Sequence, residues 1–247
     1  MRNEFNNRRE LLRFCHLLYE RGLLAAAEGN VSIRCGDVFL TTPSGRNKGL
    51  IEVDDLVEVD VNGRATGKGM KASSEFAMHL QVYRSRPEIN AVIHCHPVYA
   101  TVFACSAMNL NSCLLTEVAV CLGVVPTAEL ALPSTDQVPA SILPWVEKTD
   151  CILLAHHGAL AYGQSLEDAF NKMETLERYA QISYFSALWD QTKQIPEEKI
   201  LELESLRAGY GLNNPIIPCS GRRKQKIEKE MEEIIKEAIR NELQNRG

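Results

Sequence analysis

A short apolar run, Ala91-Val-Ile-His-Cys-His-Pro97, constrains this chain more than any other stretch. Asn90 to His96 reads as a β-strand. It carries the β-branched Val92 and Ile93 and stops at Pro97, which has no amide to give to a ladder. Successive side chains on a strand point to opposite faces, so His94 and His96 share one face and Cys95 takes the other. Two imidazoles whose Cα atoms lie about 6–7 Å apart can close on one metal ion and leave coordination positions open. Glu75, His156 and His157 are the residues to fill one or two of those positions. A lone His-x-His pair is as readily structural. Here, however, four of the six histidines fall at 94, 96, 156 and 157, and the second pair ends its own apolar run, Cys151 to Ala155. A bound divalent ion, zinc first, is the expectation.

Composition narrows the class. With 247 residues, 45% hydrophobic and 24% charged, the chain suits one large domain or a domain with an extension. A net charge of −5 gives no general electrostatic case for nucleic acid. No apolar run approaches the ~20 residues of a membrane-spanning helix, and residues 1–10 are too polar for a secretory signal. The eight cysteines form no C-x-x-C pair. Cys95, Cys121 and Cys151 sit in apolar runs, where cysteine behaves as a small buried hydrophobe. A cytoplasmic, reducing setting fits better than a disulfide framework.

Periodicity supplies the elements. Leu11, Leu12, Cys15, Leu18 and Tyr19 predict a helix from Arg8 to Leu24. A hairpin over 27–33 and 38–41 leads to the Thr42-Pro-Ser-Gly45 turn, then to a strand pair over Ile51–Val61 with Asn62-Gly63 as its turn. Ser73 or Ser74 should cap the next helix, which carries Phe76, His79, Leu80 and Tyr83 and ends at Pro87. After the histidine strand the pattern predicts a helix over Val98–Ala107 and an apolar segment, Leu114–Leu122, with Glu117 as its one charge. A strand over Val124–Leu132 follows, then a helix from Pro133 to Lys148 and a strand over Cys151–Ala155. A long helix from Leu166 to Trp189 is capped by Ser165. Early hairpins and later helix-linked strands predict a three-layer α/β/α sandwich around a mixed sheet. This body spans 1–211. Residues 212–226, with Pro215, Pro218 and a basic run, read as a linker. Residues 227–247 read as an amphipathic helix with Ile227, Met231, Ile234, Ile235, Ala238, Ile239 and Leu243 on one face, either a packing or oligomerisation helix or a docking peptide.

Several separated motifs stand in one order between about Glu10 and Gly211. They are Glu28-Gly-Asn-Val-Ser32, Thr42-Pro-Ser-Gly45, Ser73-Ser-Glu75, His94-Cys-His96, His156-His-Gly158 and Tyr210-Gly211. In that set the chain resembles the class II aldolase/adducin family. The resemblance implies a mainly antiparallel sheet and a zinc site of Glu75, His94, His96 and His157, with manganese or cobalt as alternatives. It leaves His156 outside the ligand set, since adjacent strand residues face opposite ways. It implies a substrate phosphate site of Gly29, Asn30, Ser44, Gly45, Ser73 and Ser74, where small hydroxyls, amides and a helix N-terminus favour an anion.

The implied reaction is retro-aldol cleavage of a ketose 1-phosphate, such as L-fuculose 1-phosphate, to dihydroxyacetone phosphate and an aldehyde such as L-lactaldehyde. In the family the metal polarises the substrate oxygens, and the glutamate, here Glu75, leaves it to act as general acid/base. A tyrosine that serves the aldehyde oxygen from the neighbouring subunit has no match in Leu114–Gly123. Its position carries Glu117, a carboxylate whose pKa an apolar setting would raise. Tyr210 matches the family's C-terminal tyrosine near the aldehyde. The resemblance further implies a homotetramer with sites between subunits. Other branches fit less well. The methylthioribulose-1-phosphate dehydratases keep a glutamate near Glu117 but generally lack one at Glu75, the epimerases usually have Asp there, and adducin-like interaction modules lose the metal residues. The segment 227–247 resembles the short helices that target enzymes into bacterial microcompartments, which makes a shell protein its expected partner if it docks.

Overall fold

The strand that carries the first histidine lies in the middle of a seven-stranded sheet, in a computed structural model that describes residues 2–67, 69–189 and 192–220. The strands are β1 (Asn30–Cys35), β2 (Val38–Thr41), β3 (Val57–Val59), β4 (Ala91–Cys95), β5 (Thr127–Ala128), β6 (Cys151–Leu154) and β7 (Gly158–Gly163). Their order is β3-β2-β1-β4-β7-β6-β5. Every neighbouring pair is antiparallel except β5 with β6. The sheet is therefore mixed and mainly antiparallel, as expected.

Helices cover both faces. They are α1 (Arg2–Glu20), α2 (Phe76–Ser85), α3 (Val98–Ala104), α4 (Thr116–Cys121), α5 (Gln137–Val146), α6 (Leu166–Ala187) and α7 (Glu197–Ser205). Strand alternation divides the core in two. Ala91, Ile93 and Cys95 pack with Leu11, Phe14, Leu18, Phe170 and Met173 from α1 and α6. Val92, Leu160 and Tyr162 pack on the other face with Phe76, Tyr83 and Ile142 from α2 and α5. The result is the three-layer sandwich.

Several element bounds differ from the sequence reading, each for a local reason. α1 runs Arg2–Glu20 and stops short of Leu24, because the chain turns at Gly22 with φ +69°. Of the expected strand pair over 51–61, only β3 forms. Val53–Asp55 is a short 3-10 turn closed by Glu52 and Asp55, while Asn62-Gly63 does make the turn that returns Ala65 to Val59. β5 keeps two residues of the expected 124–132, and α5 starts four residues after Pro133, at Gln137. α2 starts at Phe76 with Glu75 at its cap position and no side-chain cap, so neither Ser73 nor Ser74 caps it. Ser165 does cap α6, accepting the Asp168 amide at 3.1 Å. β7 and α7 were not anticipated. β7 reads Gly-Ala-Leu-Ala-Tyr-Gly, buried throughout and without β-branched residues, so it carries neither alternation nor propensity.

Cys95, Cys121 and Cys151 are free thiols, but one disulfide departs from the reducing setting expected. Cys113 and Cys219 form a disulfide with their Cα atoms 6.1 Å apart. The two lie 106 positions apart in sequence, and they meet because the C-terminal segment returns to the sheet edge, where the Val124 amide donates to Ile217 O at 2.8 Å. The stretch expected to be a linker from 212 is thus held down as far as Ser220, whose hydroxyl donates to Glu204 at 2.7 Å. The basic run and the amphipathic segment 227–247 lie outside the described residues. Among the described residues no helix is long and apolar enough to cross a membrane.

A buried ion network joins the ends of α2, β6 and α6. The Arg86 guanidinium donates to Asp150 Oδ1 at 3.0 Å and to Val146 O at 3.1 Å, while Lys172 Nζ donates to Asp150 Oδ2 and Asp168 Oδ2, both at 2.8 Å. The Asp150 side chain is only 2% exposed. Removing it would take from two buried cations their most buried partner and leave Arg86 to Glu88 and Lys172 to Asp168, so Asp150→Ala should cost about 3 kcal/mol of unfolding free energy by denaturant titration.

Candidate metal and active site

His94 is fixed by its strand. It sits in register with Asn30 on β1 and Leu160 on β7 and is fully buried. Its Nδ1 lies 2.9 Å from the Ala159 carbonyl. That carbonyl accepts only a proton-bearing nitrogen, so the lone pair is left on Nε2. His96 stands one residue beyond the end of β4, and its Nε2 lies 3.1 Å from His94 Nε2.

His157 comes from the turn between β6 and β7, where its amide donates to Leu154 O at 3.0 Å. The two histidines of the pair do part company, as expected, though not by strand alternation. His156 adopts φ +55° inside the turn, its amide bonds Ala104 O, and its side chain is exposed. The rings of His94, His96 and His157 stand 4.8–4.9 Å apart, centroid to centroid, each pair close to edge-to-face.

Glu75 closes the group from α2. Its Oε2 lies 3.4 Å from His94 Nε2 and its Oε1 3.2 Å from His157 Nε2. Asn30 Nδ2 donates to Oε2 at 3.1 Å. Burial opposes a charged Glu75, but the hydrogen bonds and charge of His157 and His94 hold its carboxyl well below the usual carboxylate range. Burial, with His94 and His157 adding to it, pushes His96 down to about 4, so its ring is neutral at pH 7. Neutral imidazoles and an ionised carboxylate are what a divalent cation requires. Four ligands at about 2.0–2.1 Å from a tetrahedral ion sit about 3.3–3.4 Å from one another. The nitrogen and oxygen separations here, 3.1 to 3.4 Å, match that spacing. Glu75, His94, His96 and His157 could therefore hold such an ion.

The residues expected to bind phosphate gather beside this group. Pro43 bridges Ala72, and the Ser44 amide donates to Lys71 O at 2.9 Å, which pairs the backbone of the Ser44-Gly45 turn with the segment that leads into Ser73 and Ser74. Ser73 Oγ accepts the Glu75 amide at 3.3 Å. Gly29, at φ +65°, is required by close approach, since a Cβ there would lie 2.6 Å from His94 O. Glu117 and Tyr210 are not part of the cluster within one chain. Glu117 is exposed on α4, against the burial expected for it, and lines an open cavity of about 630 Å³ with Arg21, Tyr99 and Arg178. Tyr210 is 68% exposed in a 3-10 turn, Ala208–Tyr210.

Three neighbours of the site escaped the sequence reading. Glu28 Oε2 lies 3.2 Å from His96 Nδ1. Lys48, 2% exposed, donates to Ala27 O at 2.6 Å. Ser134, at φ +62°, places its hydroxyl 2.8 Å from that of Ser74. Glu28 stood inside a quoted motif, next to Gly29 and Asn30, and that adjacency was the available signal. Lys48 and Ser134 had none, because only the folded chain brings them here. Gly158 completes the design. A Cβ there would lie 2.6 Å from the His96 ring and 2.5 Å from Cys95 O. Gly158→Ala should displace His96 and weaken any divalent-ion binding by at least about tenfold in a chelator-competition titration, with secondary structure retained by circular dichroism.

Residues 9–184 match the sequence profile of the Class II Aldolase and Adducin N-terminal domain family. An L-fuculose phosphate aldolase of Methanococcus maripaludis is 35% identical over 183 residues, covering 71% of this chain and 94% of that protein. A 3-oxo-tetronate 4-phosphate decarboxylase of Escherichia coli K12 is 29% identical over 182 residues, covering 72% and 85%. A solved L-fuculose 1-phosphate aldolase superposes with a TM-score of 0.75 at 32% identity, covering 81% of this chain and 95% of that one. The chain belongs to the class II aldolase and adducin N-terminal domain family, as one of its enzymes.

Proposed function

We propose that this enzyme cleaves a ketose 1-phosphate, such as L-fuculose 1-phosphate, by a retro-aldol reaction that gives dihydroxyacetone phosphate and an aldehyde such as L-lactaldehyde. The observation that carries this reading is the position of Glu75. One carboxylate spans His94 and His157 and at the same time begins the helix beside the Ser73 and Ser74 hydroxyls. Metal-binding and anion-binding residues therefore meet at a single ionised group.

A divalent ion on Glu75, His94, His96 and His157, zinc first with manganese or cobalt as alternatives, supplies Lewis-acid stabilisation of charge developing on substrate oxygens. The chain's own residues do the rest. Gly29, Asn30, Ser44, Gly45, Ser73 and Ser74 bind the phosphate and so fix which carbon faces Glu75. Cleavage releases the proton of the hydroxyl that becomes the aldehyde oxygen, and Glu75, ionised beforehand beside its histidines, takes up a proton and gives it to the carbon that has lost the aldehyde. Glu117 and Tyr210 serve the aldehyde oxygen of a neighbouring copy in a homotetramer. That arrangement accounts for both being exposed and separate from the histidines of their own chain. The segment 227–247 serves either packing and oligomerisation or docking on a microcompartment shell protein.

The decarboxylase relative gives the second reading. Loss of carbon dioxide from a 3-oxo-tetronate 4-phosphate leaves the same enediolate of dihydroxyacetone phosphate, so only the leaving group separates the two reactions. A coupled assay should detect dihydroxyacetone phosphate from L-fuculose 1-phosphate with zinc-loaded enzyme. Glu75→Gln should lower the rate about 100- to 10,000-fold. Co-expressing Glu75→Gln with Glu117→Gln should restore part of the activity in mixed tetramers. No product from any ketose 1-phosphate, with carbon dioxide released from the oxo acid instead, would replace the aldolase by the decarboxylase. Deleting 221–247 should leave catalysis intact and abolish co-purification with shell proteins; loss of the tetramer would instead make it a packing helix.

A further inference from the structure

The loop that enters β1 is shaped around Glu28. Ala26 and Gly29 both take left-handed backbone, at φ +45° and +65°. The two oxygens of the Glu28 carboxylate act differently. Oε1 accepts the Ala25 amide at 2.9 Å and closes the loop on itself. Oε2 reaches 3.2 Å from Nδ1 of His96, on the far side of the ring from the Nε2 that meets His94. The loop is also pinned from within the core, where Lys48 Nζ donates to the Ala27 carbonyl at 2.6 Å, one residue ahead of Glu28.

The geometry points to Glu28 as a positioning residue for His96. Its carboxylate accepts a hydrogen bond from Nδ1–H, which keeps the proton on Nδ1, turns the Nε2 lone pair toward His94 and His157, and strengthens that nitrogen as a donor to a metal ion. His94 meets the same requirement differently, through the Ala159 carbonyl, a neutral acceptor that no side-chain change removes. His94 and His96 thus carry outer partners of different charge. Glu28 is the one of the pair through which the site's hold on its ion can be tuned without touching a ligand.

This inference rests on the metal reading of the site. Full-length Glu28→Ala and Glu28→Gln would be stripped of metal and titrated with Zn2+ against a chromophoric chelator. Their Co2+ spectra and the melting temperatures of the metal-free forms would be recorded alongside. Both variants should bind Zn2+ about 10- to 100-fold more weakly than wild type, with altered visible Co2+ bands, and Glu28→Gln, which keeps an oxygen for the Ala25 amide, should leave the metal-free melting temperature unchanged. Wild-type Zn2+ affinity in either variant would overturn the role of the charged carboxylate and leave Glu28 as a loop closure. In Glu28→Gln, a fall in the metal-free melting temperature that matches the loss of affinity would do the same. A wild-type protein that takes up no divalent ion would instead overturn the metal reading itself, so the two failures are separable.

Discussion

The hydrogen bond between His94 Nδ1 and the Ala159 carbonyl ties the chemistry of this molecule to its sheet. It crosses from β4 to β7, two strands whose register runs from Ala91–Gly163 to Cys95–Ala159. Because that ladder is antiparallel and central, a one-residue slip would turn His94 to the opposite face and put Ile93 or Cys95 in its place. The register is protected by burial on both sides. Every residue of β4 and of β7 is buried. The position of His94 is therefore as stable as the core itself, and His96 and His157 follow from it as the residues at the adjoining ends of β4 and the β6–β7 turn.

Glu75 reaches the histidines by another route. α2 is packed on the sheet through Phe76, Leu80 and Tyr83, and it is locked in rotation by a buried polar network. Ser32 Oγ lies 2.7 Å from His79 Nδ1 and 2.9 Å from the Tyr83 hydroxyl, linking β1 to two turns of the helix. Burial pushes His79 down to about 3, so it serves as a neutral hydrogen-bonding group. These directional contacts at His79 Nδ1 and the Tyr83 hydroxyl specify one orientation where apolar packing alone would tolerate several. The carboxylate at the start of α2 is aimed by that orientation. Asn30, on the same strand as Ser32, then holds it from the other side.

Some of this was legible in the residues. His94 and His96 on one face, the three-layer mixed sheet, the Ser165 cap and the Asn62-Gly63 turn all rest on local rules of alternation, capping and turn chemistry. The elements that were misjudged share a cause. β7 has no strand propensity and exists because β4 and β6 bury it on either side. Glu117 stands in an apolar run, yet α4 turns it outward while Val118, Ala119 and Val120 take the interior. Cys113 and Cys219 gave no signal, since their pairing depends on Ile217 reaching the sheet edge.

The amino-acid sequence by itself determined what its neighbours along the chain can enforce: a histidine strand ended by proline, small residues at the turns and at the start of α2, and an acid next to them. Backbone sterics and side-chain periodicity act over a few residues, and they suffice for that much. Only the tertiary structure decided which groups meet. It chose His157 over His156 through a left-handed turn, set Glu28 against His96 and Ser134 against Ser74, and required glycine at 29 and 158 because two segments approach within the space of a single Cβ. These are contacts between residues far apart in the chain, and their energies arise only when the whole core has closed around them.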